Sequence, residues 1–289
     1  MFIQLIILIL VTFSSFYMIA LAFSVSYSTF KFFNLSFAVD IVYAAYIFNT
    51  LFYNFHIVRA FSVLIAICFC VIFQLILTKF LFPRINNQNG FYRLIASLGI
   101  LVIMQNTLSI VYGDTSINNS LFQNESFSFK GIILTLDQVF IILGALIIFL
   151  GNFLIFRYTL LGMHIKAVSS NKELSAIFGI NTQRTELFST IFSSIVFSLA
   201  GILYSSYTVL NPMYGFDLLL FGIISMIIGG IGSSWGLICG ALLLATAQHL
   251  GAYFIDSKWM DGITYSILIL FLIWKPLGFS GQQLKKIEI

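Results

Sequence analysis

The sequence predicts an all-α, polytopic integral membrane protein with about eight to nine transmembrane or re-entrant helices. Of its 289 residues 60% are hydrophobic and only 8% are charged, against about 45–50% and about 25% in soluble domains. Uncharged apolar stretches recur at or near the roughly 20 residues a helix needs to cross a hydrocarbon core. Polar and apolar positions do not alternate along them as a membrane barrel requires, so helices, which satisfy their own backbone groups, are the spanning element. The composition also excludes a disordered chain. A net charge of +4, spread out and without a basic patch interleaved with aromatics, gives nucleic acid nothing to hold.

The first stretch, 5 to 28, begins without a basic region and runs well past the core of a signal peptide, so it is expected to be a retained span. Stretches 37 to 55, 60 to 82, 94 to 112, 131 to 156 and 187 to 210 follow as spans. Then come Leu218 to Ile231, Trp235 to Phe254 and Gly262 to Trp274. The first and third of these are short for a crossing at about 1.5 Å per residue, which leaves the count open by one or two. The first two are expected to behave alike: both cross, or both re-enter.

Loop charge sets the orientation, because cytoplasmic loops carry the excess of Lys and Arg. Segment 79 to 93 holds Lys79, Arg84 and Arg93, segment 157 to 186 holds Arg157, Lys166, Lys172 and Arg184, and the tail holds Lys275, Lys285 and Lys286. All three are expected in the cytoplasm. Loop 113 to 130, with Asp114, Glu125 and Lys130 among Asn and Ser, suits the outer face.

Segment 157 to 186 contains an amphipathic element outside the spans. Ser170 and Glu173 have the spacing of a capping box, Leu174, Ile177 and Phe178 share one face, and Gly179 provides a stop. Asn181 or Thr182 can cap the span that follows. The short helix, 171 to 178, is either a connector resting on lipid or a knob for a cytoplasmic partner.

Glycines 229, 230 and 232, followed by Ser233, interrupt the apolar run 218 to 254. Such a cluster is either a tight cytoplasmic turn or a helix break facing a cavity. Asn34, Leu35 and Ser36 interrupt the first apolar region in a comparable place. Asp40 and Asp137 lie near the ends of their stretches and are expected to reach the headgroups, while His249 is expected to be packed or interfacial. Cys68, Cys70 and Cys239 are expected to be buried, inert thiols. No metal, nucleophile or phosphate-binding motif is present, so the chain is either a passive pore or powered by another subunit.

In the second half, "LGMHIKAVSSNKELSAIFGINTQRTELF" (161 to 188) resembles the cytoplasmic coupling segment of the permease family of ATP-binding-cassette importers for branched-chain amino acids. Lys166, Ala167, Asn171, Ala176, Gly179 and Ile180 stand at corresponding positions. The stretch from Leu199 to Leu250 is similar to the family's next region around Asn211, Pro212 and Gly215 and in its G-G-I-G-S run. Further likeness lies in "RLIASLGILVIMQN" (93 to 106) and "ILILFLIWKPLGFSG" (267 to 281), so the resemblance covers nearly the whole chain. Where the family usually shows N-F-A-H-G, this chain has Asn34, Leu35, Ser36, Phe37 and Ala38. At Ser170 the family commonly has an acidic residue.

The resemblance implies one permease domain, 1 to 289, of the ATP-binding-cassette importer fold in the bacterial cytoplasmic (inner) membrane. It would translocate branched-chain or other small hydrophobic amino acids, with urea or short amides as the near alternative. It would perform no covalent chemistry and need no cofactor. Implied partners are a second permease subunit, either a paralogue or a second copy, two cytoplasmic ATPases, an external solute-binding protein and the lipid bilayer. Ser170, Asn171, Glu173, Leu174, Ala176, Ile177, Phe178 and Gly179 would couple to the ATPase. Asn34, Ser36, Gly229, Gly230, Gly232 and Ser233 would line the translocation pathway.

Overall fold

The computed structural model describes residues 2–85, 90–114, 126–129, 132–275 and 278–279. Its elements are α1 (Phe2–Phe30), α2 (Phe37–Asn49), α3 (Arg59–Ile76), α4 (Gly90–Tyr112), β1 (Ser126–Phe129), β2 (Ile132–Thr135), α5 (Leu136–Tyr158), α6 (Leu160–Ser170), α7 (Lys172–Ile177), α8 (Thr182–Ser205), α9 (Tyr214–Gly229), α10 (Ser234–Phe254) and α11 (Met260–Trp274). Among the described residues six helical stretches are long and apolar enough to cross a membrane: Phe2–Phe30, Arg59–Arg84, Gly90–Tyr112, Leu136–Tyr158, Thr182–Ser205 and Ser234–Phe254.

The helices turn their small and polar residues inward. On α3 the buried positions are Ser62, Ala66, Cys70 and Gln74, one every fourth residue, while Phe61, Ile65, Phe69, Ile72 and Ile76 are exposed. A helix whose outer stripe is apolar suits a hydrocarbon surround, where small residues let backbones approach and large apolar ones face lipid. The central helix is α1, buried along most of Val11 to Thr29 and packed on α5, α8, α9 and α10. Ser189 and Ser193 of α8 donate to the Val25 and Ala22 carbonyls of α1 at 3.2 and 2.9 Å. The Tyr214 hydroxyl of α9 lies 2.8 Å from the Ile41 carbonyl and 3.1 Å from that of Gly201, so it ties together α2, α8 and α9.

Several expectations need correction. The stretch 37 to 55 is helical through Asn54 but is not one regular α-helix: α2 has 13 residues and passes without a break into a π-helical turn at Thr50–Asn54. At that transition the Thr50 hydroxyl donates to the Tyr46 carbonyl at 2.8 Å and lies 2.7 Å from the Tyr112 hydroxyl. The chain reverses before α3 through His56, at φ 53°. The pair 218 to 231 and 235 to 254 is unequal, since α9 has 16 residues and α10 has 21. The span from 131 starts at Leu136, because Ile132–Thr135 pairs antiparallel with Ser126–Phe129.

Burial also differs from expectation. Asp40 is fully buried, not at the headgroups, because α2 starts inside the bundle and its carboxylate faces Gln74 of α3. Asp137 is buried in the first turn of α5. Of the cysteines, Cys70 is buried but Cys68 and Cys239 are exposed on outward helix faces. His249 is packed as expected, 2.7 Å from the Thr12 hydroxyl of α1. Glu125, Lys130, Lys285 and Lys286 lie outside the described residues.

Candidate functional site

One end of the bundle gathers the cations. The Lys31 ammonium, just past α1, donates to the Ser169 carbonyl at 2.5 Å, and desolvation there lowers its pKa from the ordinary lysine value. The Arg93 guanidinium stands 5.8 Å from the Phe32 ring. Lys79 and Arg184 border one groove, and Arg157 and Lys166 border another cavity.

From this end projects α7. Asn171 is extended at φ −153° and ψ 112°, and its side-chain oxygen accepts from the Leu174 N–H at 2.9 Å. The expected Ser170/Glu173 capping box is therefore absent. Ser170 is still the last helical residue of α6 and lacks the extended backbone an N-cap needs. Glu173 keeps a place in the first turn, where a negative charge suits the helix dipole. At the other end Gly179, at φ 81°, donates to the Ala176 carbonyl and Ile180 to that of Ser175, each at 3.0 Å. This is a Schellman closure, whose left-handed position favours glycine.

Ser175 is buried beneath α7, whereas Leu174, Ile177 and Phe178 are 53%, 80% and 77% exposed. Lys172 forms an ion pair with Glu186 of α8, and the Asn181 side chain caps α8 by accepting from Arg184 N–H at 3.0 Å. The result is a short helix fixed at both ends and at its base, with an unpartnered apolar face.

Inside the bundle, Asn34 and Ser36 belong to a buried polar cluster. The Asn34 oxygen accepts from the Ser36 N–H and hydroxyl at 3.1 and 2.6 Å, and Leu35 N–H donates to Ser97 at 3.1 Å. The Gln74 amide donates to the Ser36 carbonyl at 3.0 Å and to Asp40 at 3.2 Å. These groups satisfy backbone left open between α1 and α2, as irregular backbone at membrane depth requires. Gln74 and Ser97 escaped the sequence reading. An amide inside the apolar stretch 60 to 82 was the available signal.

The glycine run forms a tight turn between α9 and α10. Gly230 and Gly232 take φ 92° and 84°. The Ser233 hydroxyl caps α10, accepting from Gly236 N–H at 3.1 Å. A Cβ on Gly229 or on Gly236 would fall against the other's backbone, so the two helices meet at closest approach there. Gly232 N–H donates to the Ser24 hydroxyl of α1 at 3.2 Å. Beside this contact opens a cavity of about 510 Å³ bordered by Ser24, Ser28, Asn152, Lys166, Gly232 and Ser234. Ser24, one helical turn before Ser28 on α1, was not singled out from sequence. The two interrupted segments have different partners: Ser36, which bonds Asn34, is held by Gln74, and Gly232 by Ser24.

Among the described residues, six helices long and apolar enough to cross a membrane, packed around a polar interior, define a multi-pass helical membrane protein. The chain belongs to the family described as "Branched-chain amino acid transport system / permease component", whose model matches residues 5–273. It is similar to the high-affinity branched-chain amino acid transport system permease protein LivH of Escherichia coli (strain K12), 28% identical over 210 residues, covering 68% of this chain and 66% of that protein. LivH of Salmonella typhimurium is 27% identical over the same shares. The probable branched-chain amino acid transport permease protein LivH of Methanocaldococcus jannaschii is 29% identical over 202 residues, 66% of this chain and 62% of the relative. The chain thus spans just under two thirds of the length of these relatives. No solved structure matches.

Proposed function

We propose that this chain is the permease subunit of an ATP-driven importer for branched-chain or other small hydrophobic amino acids. It works as one permease domain with a cytoplasmic coupling segment at 157 to 186. Paired with a second permease, it is driven by two cytoplasmic ATPases and supplied by an external solute-binding protein. The observation that carries this reading is α7, capped by Asn171, closed at Gly179 and tied to α8 through Lys172 and Glu186, with Leu174, Ile177 and Phe178 outward. A helix so fixed moves as a unit with the spans behind it. ATP binding in a docked subunit then shifts the balance between inward-open and outward-open arrangements by its differential contact with the two. Ser170 and Ala176 complete the coupling segment.

On this reading solute passes near Gly229, Gly230, Gly232 and Ser233, where the turn borders the cavity, and near Asn34 and Ser36. The family description and the relatives' names favour branched-chain amino acids over urea or short amides. Uptake of leucine against urea in vesicles holding the whole assembly decides between them.

The docking role is tested by Phe178→Glu in the same vesicles. A charge on the apolar face is expected to abolish retention of the ATPase and substrate-stimulated ATP hydrolysis. Full retention with wild-type stimulation would refute it. A stand-alone channel would conduct solute with no ATPase co-purifying.

A further inference from the structure

Between α3 and the start of α8 lies a groove of about 690 Å³, of whose lining only Arg184 falls within the proposed coupling segment. Its walls are Ile72, Ile76 and Phe80 on one side and Leu187, Phe188 and Ile191 on the other. The same two helical segments touch where the Thr78 and Thr190 hydroxyls meet at 3.2 Å. The outward apolar stripe of α3 continues through Ile72 and Ile76 into a π-helical turn, Leu77–Leu81, which carries Lys79 and Phe80. Such turns recur at functional positions because they re-aim side chains within a helix. Lys79 stands at one end of the groove with Arg184 across it. Lys172 pairs with Glu186, and no carboxylate among the described residues forms an ion pair with Lys79 or Arg184.

We propose that this groove binds an anionic phospholipid, with its phosphate at Lys79 and Arg184 and an acyl chain along Ile72, Ile76 and Ile191. The dimensions suit one leaflet. From Lys79 back to Ile72 the groove runs about 10 Å, within half of a core about 30 Å thick. The walls belong to helices that cross the membrane, so the occupant's body is hydrocarbon. Two unpaired cations at the headgroup level, on the cation-rich end, select a negative head, as basic pockets between membrane helices do. Arginine adds a planar fork of donors that matches phosphate.

Native mass spectrometry of the purified full-length chain tests the site, using phosphatidylglycerol and phosphatidylcholine of the same chain length as probes. Phosphatidylglycerol is expected to be retained about tenfold better, and K79Q/R184Q to remove that preference. Ile76→Trp should fill the groove and lower retention of both lipids, while Lys166→Gln, outside the groove, leaves the preference unchanged. Equal retention of the two lipids, or a preference that survives K79Q/R184Q, overturns the proposal. So does displacement by millimolar inorganic phosphate, which would mark a free-anion site. Disulfide formation between two copies of Ile76→Cys, with the native cysteines replaced by serine, would mark the groove as a contact between permeases and also overturn it.

Discussion

The side-chain oxygen of Asn171 accepts a hydrogen bond from the Leu174 backbone N–H at 2.9 Å, so Asn171 is the N-cap from which α7 starts. Asn171→Ala removes the N-cap and is expected to destabilise the helix by about 0.5–2 kcal/mol. Hydrogen exchange across 172 to 178 should then speed up several-fold. Ser170→Ala, which touches no cap, should leave exchange there unchanged. A larger effect from Ser170 than from Asn171 would reverse the assignment.

Gln74 holds together the polar interior. Gln74→Leu leaves the Ser36 carbonyl and an Asp40 oxygen without the amide that now donates to them. Each buried polar group so abandoned costs about 1–3 kcal/mol. The variant should melt well below the wild type in detergent. Asp40→Asn keeps an oxygen for the Gln74 amide and should melt closer to the wild type. Equal melting of Gln74→Leu and wild type would mean that the cluster adds nothing to stability.

Gly236→Ala and Gly99→Ala change the chain identically but meet different surroundings. A Cβ at Gly236 would fall on the Gly229 carbonyl, whereas at Gly99 nothing lies within 4 Å. Gly236→Ala should separate α9 from α10 and lower the melting temperature, while Gly99→Ala should be neutral or stabilise by up to about 1 kcal/mol. Matching melting curves for the two variants would contradict the close approach.

Most spans were legible because hydropathy accumulates along the chain, and hydrocarbon thickness demands a fixed length of it. Leu174, Ile177, Phe178 and Gly179 were legible because periodicity and a stop signal are local. What composition along the chain does not encode is which neighbour a residue meets. Residues 37 to 55 form one apolar run, yet the π-helical turn that begins at Thr50 meets Tyr112, distant in sequence. Asp40 reads as an end residue until Gln74 is placed opposite it. The cap fell on Asn171 instead of its neighbour because α6 runs through Ser170, a matter of backbone that the Ser170/Glu173 spacing does not reveal. Ser24 and Asn152 acquire meaning only once α1, α5 and α10 enclose the same cavity.

The hydroxyl contacts between α1 and α8 have a mechanical consequence. Thr29 already divides its hydroxyl between carbonyls of its own helix, Ser26 at 2.9 Å and Val25 at 3.4 Å, and the Ser189 hydroxyl at 2.9 Å. Ser189 and Ser193, which now donate across to α1, also have carbonyls one turn back in α8 that a rotated hydroxyl can reach. When one helix slides past the other, each hydroxyl can trade its acceptor for the next without being stranded. Leu and Phe side chains interlocked at the same place would have to unlock together. Each of these hydroxyls therefore holds the two helices side by side through a contact that has a local substitute, whereas the buried Phe23 and Phe197 rings, edge to face at 6.4 Å, lock the same seam further along.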